Sequence, residues 1–165
     1  MKRVLKNVVS PVTMKQWYID LLFAIPRILC GFFLAVNFGG SKFGVPWSTN
    51  SAPDLAFLEV VDWFPNDVAN YGGIFAIFPV FFAWIGAASE AIGGMFLAIG
   101  LKTRVASFFI MCTMLVAIFL QKWNDGLWGM LPAMGFLWIS IYNLVLGSGR
   151  FGFDYLITKK WFLPK

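Results

Sequence analysis

Arg27 and Glu90 offer the most chemistry in this chain, because each sits near the middle of a long apolar stretch. A charge at bilayer depth is costly and usually pairs or lines a functional cavity. Counting from Ile19 to Phe38 puts the midpoint beside Arg27, and counting from Pro79 to Leu101 puts it at Glu90. If the two stretches are antiparallel neighbours, the charges arrive at similar depth. An arginine–carboxylate pair there is bidentate and offsets much of the desolvation of each partner. Two roles stay open for such a pair. It is a staple that fixes helix register, or a site where Glu90 binds a proton, a quinone or another ligand while Arg27 tunes its pKa. Phe23, Trp84 and Phe96 offer aromatic walls for a quinone.

Small residues surround both charges. Gly86, Glu90 and Gly94 recur at a spacing of four, with Ala83, Ala87 and Gly93 nearby, and Gly31 lies one turn beyond Arg27. Such residues let membrane helices pack backbone to backbone. Pro26 frees a backbone carbonyl about one turn earlier.

Other chemistries find little footing. The chain has no histidine, which removes the commonest metal ligand and the usual base at neutral pH. Cys30 and Cys112 lie far apart in apolar segments, with neither a redox nor a zinc spacing, and read as small hydrophobes. There is no phosphate loop, nucleophile elbow or H-E-x-x-H helix. No metal and no intrinsic cofactor is expected; quinone is the one candidate. Gly147-Ser148-Gly149-Arg150 reads as a helix end and turn.

The elements that must position these residues are transmembrane helices. The composition is 59% hydrophobic and only 13% charged, with a mean hydropathy of +0.75, and uninterrupted apolar runs of bilayer length predict spans. Four are expected, at about 19–38, 74–101, 105–121 and 127–146, with Pro79 as a kink or the true start of the second. The whole chain, 1–165, reads as a single integral membrane domain, an all-α bundle of four transmembrane helices. In the long loop 39–73, Ser51 as N-cap followed by Leu55, Leu58, Val61 and Phe64 predicts a short extra helix over Pro53 to Phe64, ended by Pro65-Asn66-Asp67. That loop is a lid or docking surface, or simply packs over the spans.

Charge sets the topology. Lys2, Arg3, Lys6 and Lys15, Lys102 and Arg104, and Arg150, Lys159, Lys160 and Lys165 place ten of the 13 basic residues on one side. Lys42 and Lys122 are left on the other, so both termini are expected in the cytoplasm. The basic residues flank apolar runs and form no nucleic-acid face. The N-terminal run is too long for a cleaved signal peptide.

Pro26-Arg27-Ile28-Leu29-Cys30-Gly31 followed by Gly39-Gly40-Ser41-Lys42 resembles the opening motif of DoxX-type membrane proteins. Glu90-Ala91-Ile92-Gly93-Gly94, running into Leu97 to Arg104, and the tail Leu146 to Asp154 resemble its later motifs. The matching positions are Arg27, Lys42, Glu90, Gly93, Arg104, Gly149, Arg150 and Asp154. Ser148 stands where the family often has proline, and Gly152 where it often has serine. The extended loop with Trp47 and Trp63 lies outside the core pattern. The resemblance implies a four-helix protein of a bacterial or archaeal inner membrane. Some members are linked to thiosulfate oxidation coupled to quinone and others to redox-stress complexes. Three functions follow as expectations: an accessory or anchoring subunit of a membrane redox complex, a quinone-interacting component of a thiosulfate:quinone oxidoreductase, or a small proton or solute carrier. The expected partners are lipid and other membrane subunits or further copies of the chain.

Overall fold

The computed structural model describes residues 10–49 and 55–161. Among them the chain is all-helical apart from one isolated antiparallel bridge between Phe43 and Val60. Four helices are long and apolar enough to cross a membrane: α1 (Trp17–Gly39), α4 (Pro79–Ile99), α5 (Thr103–Gln121) and α6 (Trp123–Leu146). Two short helices, α2 (Trp63–Ala69) and α3 (Ile74–Ile77), lie in the loop after α1, and α7 (Phe153–Trp161) follows α6. The second span starts at Pro79, after a break at Phe78 (φ −128°, ψ 56°). Proline suits a helix start because its missing N–H has no bond to lose there.

Three of the spans contain a π-helical turn: Leu34–Gly39 in α1, Ser89–Gly93 in α4 and Ala117–Gln121 in α5. A π-turn inserts one extra residue and rotates everything beyond it by about 100°. That rotation separates the small residues that share one face at a regular spacing of four. Gly94 turns to α1, Gly93 to Ile110 of α5, and Gly86 to the ring of Phe64 in α2.

Glycines bring α1 and α4 into backbone contact. A Cβ on Gly31 would lie 2.6 Å from the Ala98 nitrogen, and one on Gly94 would lie 2.8 Å from the Ala35 nitrogen. A Cβ on Gly39 would overlap the Ala91 backbone. These contacts fix the register of the two helices. Arg27 comes level with the last turn of α4, and Gly39 comes level with Glu90 and Ala91.

The loop after α1 packs onto the spans. Phe43, Val45, Val61, Phe64 and Val68 form a buried cluster with Ala83, Ala87 and Ala91 of α4. The expected helix over Pro53 to Phe64 is not formed where the residues are described; Ser51, Pro53 and Asp54 fall outside them. Leu58 has φ 65°, and its neighbourhood is tied into a turn by Leu58 N–H donating to the Gly44 carbonyl (2.7 Å) and Gly44 N–H donating to that of Glu59 (2.8 Å). The helix instead runs Trp63–Ala69 and places Pro65 in its first turn. There the missing N–H costs no hydrogen bond. The tail is also more ordered than a basic flank. Asp154 in the first turn and Lys159 and Lys160 in the last turn of α7 complement its dipole.

The two glycine environments predict opposite outcomes. Gly94→Ala should destabilise the protein by about 1–3 kcal/mol through overpacking. Gly86→Ala, whose Cβ would meet Phe64 at an ordinary 3.7 Å, should be neutral or gain up to about 1 kcal/mol from helix propensity. Thermal unfolding in mild detergent checks both; equal melting temperatures for the two variants would contradict the crossing.

Candidate functional site

The structure separates Arg27 from Glu90. Midpoint counting assumes that both helices are centred at one depth, but the glycine crossing staggers them. Glu90 is level with Gly39, about 12 residues beyond Arg27, which is roughly 18 Å along a helix. Each charge therefore has its own partners.

Arg27 is 1% exposed and ties together three backbone segments. Its Nη1 donates to the carbonyls of Leu97 (2.6 Å) and Ala98 (3.1 Å), and its Nη2 to that of Phe151 (2.7 Å). The first two are last-turn carbonyls of α4; that of Leu97 also accepts from the Gly100 N–H (3.3 Å), and both sit at the negative end of the helix dipole. The nearby carboxylate is Asp154, whose charge acts on Arg27. Asp154 accepts from the N–H groups of Lys102 and Thr103 (both 2.8 Å), which caps α5. Its own N–H donates to the Gly100 carbonyl (2.9 Å).

The same face holds a second knot. Arg150 Nε lies 2.8 Å from Asp20 Oδ2, and Arg150 Nη2 donates to the Met14 carbonyl (2.6 Å). Met14 N–H donates to Asp20 Oδ1 (3.1 Å). Arg104 donates to the Val145 carbonyl (3.0 Å). Gly149, at φ 61°, lies against the Asp20 carboxylate. Asp20 is 3% exposed and was missed in the sequence reading. Its signal was an acid in the second position of an apolar run. These groups are spent on termini and turns, and the cavity beside them, about 200 Å³ between α1 and α6, holds Phe23 away from Glu90.

Glu90 stands elsewhere, on the π-turn of α4, and its partner is Lys42 at 2.7 Å. Both side chains are largely buried, 6% exposed for Glu90 and 13% for Lys42. The ammonium also lies 4.9 Å from the centre of the Phe64 ring, a cation–π contact. The pair lines a cavity of about 250 Å³ between α4, α5 and the loop helix α2. Its walls include Phe64, Phe75, Phe82 and Phe108, and its polar atoms come from Lys42, Glu90, Tyr71, Thr113 and Gln121. Phe108, Phe109 and Cys112 are exposed on the outward face of α5, so the cavity opens toward lipid. Tyr71 was not singled out by sequence. Its phenol is pushed up to about 12 by burial, then by the negative charges of Asp67 and Glu90, and so stays a neutral donor. Trp84 and Phe96, expected as quinone walls, line a separate groove on the α4–α5 seam. Among the described residues no cluster of three or more His, Cys, Asp or Glu has the arrangement of a metal site.

A family model described as DoxX matches residues 22–123, more than half of the chain. No curated protein and no solved structure matches it.

The partner exchange predicts a coupling pattern. Glu90→Gln should cost on the order of 3 kcal/mol in the wild type and much less beside Lys42→Met, because the orphaned charge is then gone. Glu90→Gln and Arg27→Leu should add within about 0.5 kcal/mol, as separated sites do. Double-mutant cycles in detergent unfolding check this, and strong Arg27–Glu90 coupling would overturn the assigned pairing.

Proposed function

The chain belongs to the DoxX family, and we propose that it is an accessory subunit of a membrane redox complex, holding a quinone-class ligand beside Lys42 and Glu90. One observation carries this reading: the buried ion pair that joins Lys42, in the loop after α1, to Glu90, in the middle of α4, is not spent on a helix terminus and lies in an aromatic cavity open to lipid. A quinone partitions into the bilayer and needs such a lateral entrance. Its carbonyl oxygens take donors, supplied by the Lys42 ammonium and the neutral Tyr71 phenol. The hydroxyls of its reduced form take an acceptor, supplied by Glu90. Phenylalanine rings suit the faces of a planar headgroup.

Electron transfer falls to a partner subunit. Phe57 (74% exposed) and Trp63 (47% exposed) on the loop face support docking there, since aromatic side chains dominate interface energetics. The basic bias supports termini in the cytoplasm and a cavity in the outer half of the membrane, and the family resemblance supports a bacterial or archaeal inner membrane.

Purified protein in nanodiscs should quench its tryptophan fluorescence on addition of a quinone headgroup analogue. Lys42→Met and Glu90→Gln should each weaken that binding about tenfold or more, and Tyr71→Phe by about two- to tenfold. Cys30→Ser, on the opposite seam, should change nothing. Unchanged binding in both charge variants would sink the site.

Tyr71 makes a separate prediction. The tyrosinate absorbance lost in Tyr71→Phe should titrate near pH 12, where an exposed phenol titrates near 10. The unfolded chain gives up this proton first, so stability should fall as pH climbs from about 10 to about 12. A transition near 10 would show the phenol to be solvated.

A further inference from the structure

The α4–α5 seam carries more free space than a headgroup needs. Beside the cavity lies a groove of about 450 Å³, which the ion pair does not reach. Its floor is small (Ala88, Ser89, Gly93, Ala106) and its walls are apolar (Trp84, Ile92, Phe96, Val105). Along α4 it extends from Trp84 past Phe96 to the turn at Lys102, roughly 25 Å. The cavity and the groove abut: Ile85 and Phe109 line both. The Ser89 hydroxyl of the groove shares a hydrogen bond with Thr113 of the cavity, which ties α4 to α5 where the two spaces meet.

We propose that the groove is the binding site for the long apolar tail of a membrane-borne amphiphile whose headgroup occupies the Lys42–Glu90 cavity. The inference rests on the headgroup reading above and adds the class of ligand: a long-chain compound, selected over short-chain or tail-less ones. Ser89, Gly93 and Ala106 bring α4 and α5 together, and the larger side chains of Trp84, Phe96 and Val105 rise on either side, which leaves a hollow next to a polar cavity. A tail needs just this, because contact with a concave wall recovers the dispersion that a chain in free lipid already enjoys. Adjacency to the cavity identifies the occupant. A chain that passes over the shared wall of Ile85 and Phe109 enters the groove and runs toward the terminal face, so one molecule fills both spaces. The groove thus acts as a length gauge, and the headgroup site as the anchor.

The test uses the full chain in nanodiscs and a series of benzoquinones: no tail, a short prenyl tail and a long prenyl tail. Wild type and two groove-filling variants, Ala88→Phe and Val105→Trp, are compared in the same lipid, so partitioning into the bilayer cancels. The variants should weaken long-tail binding by about tenfold and leave the tail-less compound unchanged. In the wild type, a photoreactive group near the tail's end should label the peptides holding Phe96 and Val105. If the tail-less compound binds equally well everywhere and the variants do not discriminate by length, the groove proposal is overturned while the headgroup site stands. If no member of the series binds, the headgroup reading has failed. Photolabel on α1 or α6 places the tail elsewhere and overturns the proposal even if a variant fails to fold.

Discussion

The guanidinium of Arg27 locks the stagger that the glycine crossing sets, and the rest of the bundle depends on that lock. In lipid no water satisfies its N–H groups, so they must find protein acceptors. Nη1 and Nη2 find the carbonyls of Leu97, Ala98 and Phe151. The arginine thereby pins the middle of α1 to the end of α4 and to the turn before α7. From that point the two helices run antiparallel over Gly31 and Gly94, where no Cβ fits, until Gly39 meets Ala91. The chain leaving α1 then delivers Lys42 to Glu90. Slide α1 by one turn and the arginine loses its carbonyls, the glycines clash and Glu90 loses its cation together.

This dependence explains why the spans were legible in the sequence and the pairing was not. Hydropathy reports where a helix can sit in lipid, and the expected bounds fall within a few residues of Trp17–Gly39, Pro79–Ile99, Thr103–Gln121 and Trp123–Leu146. It does not report how far one helix is offset from another. Arg27 and Glu90 share a midpoint position, but depth is set by glycine contacts that have no sequence coordinate. Lys42 was visible as a base after α1 and as a position in the family resemblance, but nothing in the sequence joined it to Glu90. The π-turns were invisible too, because an extra residue in a helix leaves composition unchanged while moving Gly86, Gly93 and Gly94 onto three different neighbours. In the loop, the spacing of Leu55, Leu58, Val61 and Phe64 fitted a helix, and only the tertiary ties around Gly44 forced the turn instead.

The two faces of the molecule use charge differently. On the terminal face, Arg27, Arg104, Arg150, Asp20 and Asp154 bond mainly to backbone groups that helix ends and turns leave unsatisfied. Each replaces solvent for a carbonyl or an N–H that would otherwise be costly to bury. Substituting any of them leaves a backbone group or a partner charge unpaired. The bonds they make are architectural.

Lys42 and Glu90 meet none of those needs. No helix terminus requires them, and a buried ion pair adds little net stability over an apolar pair of the same shape. The choice of cation matters as well. Arginine holds its proton at any relevant pH, and its planar fork suits fixed carbonyls, which is how Arg27 is used. A lysine–glutamate pair is a pair of point charges on flexible stems, able to part and rebond around a third group. Such a pair, set among phenylalanine rings at the mouth of a lipid-facing cavity, costs the bundle desolvation without stapling it. That cost is the physical ground for reading it as a binding site, and it points away from Arg27, the charge that first drew the eye.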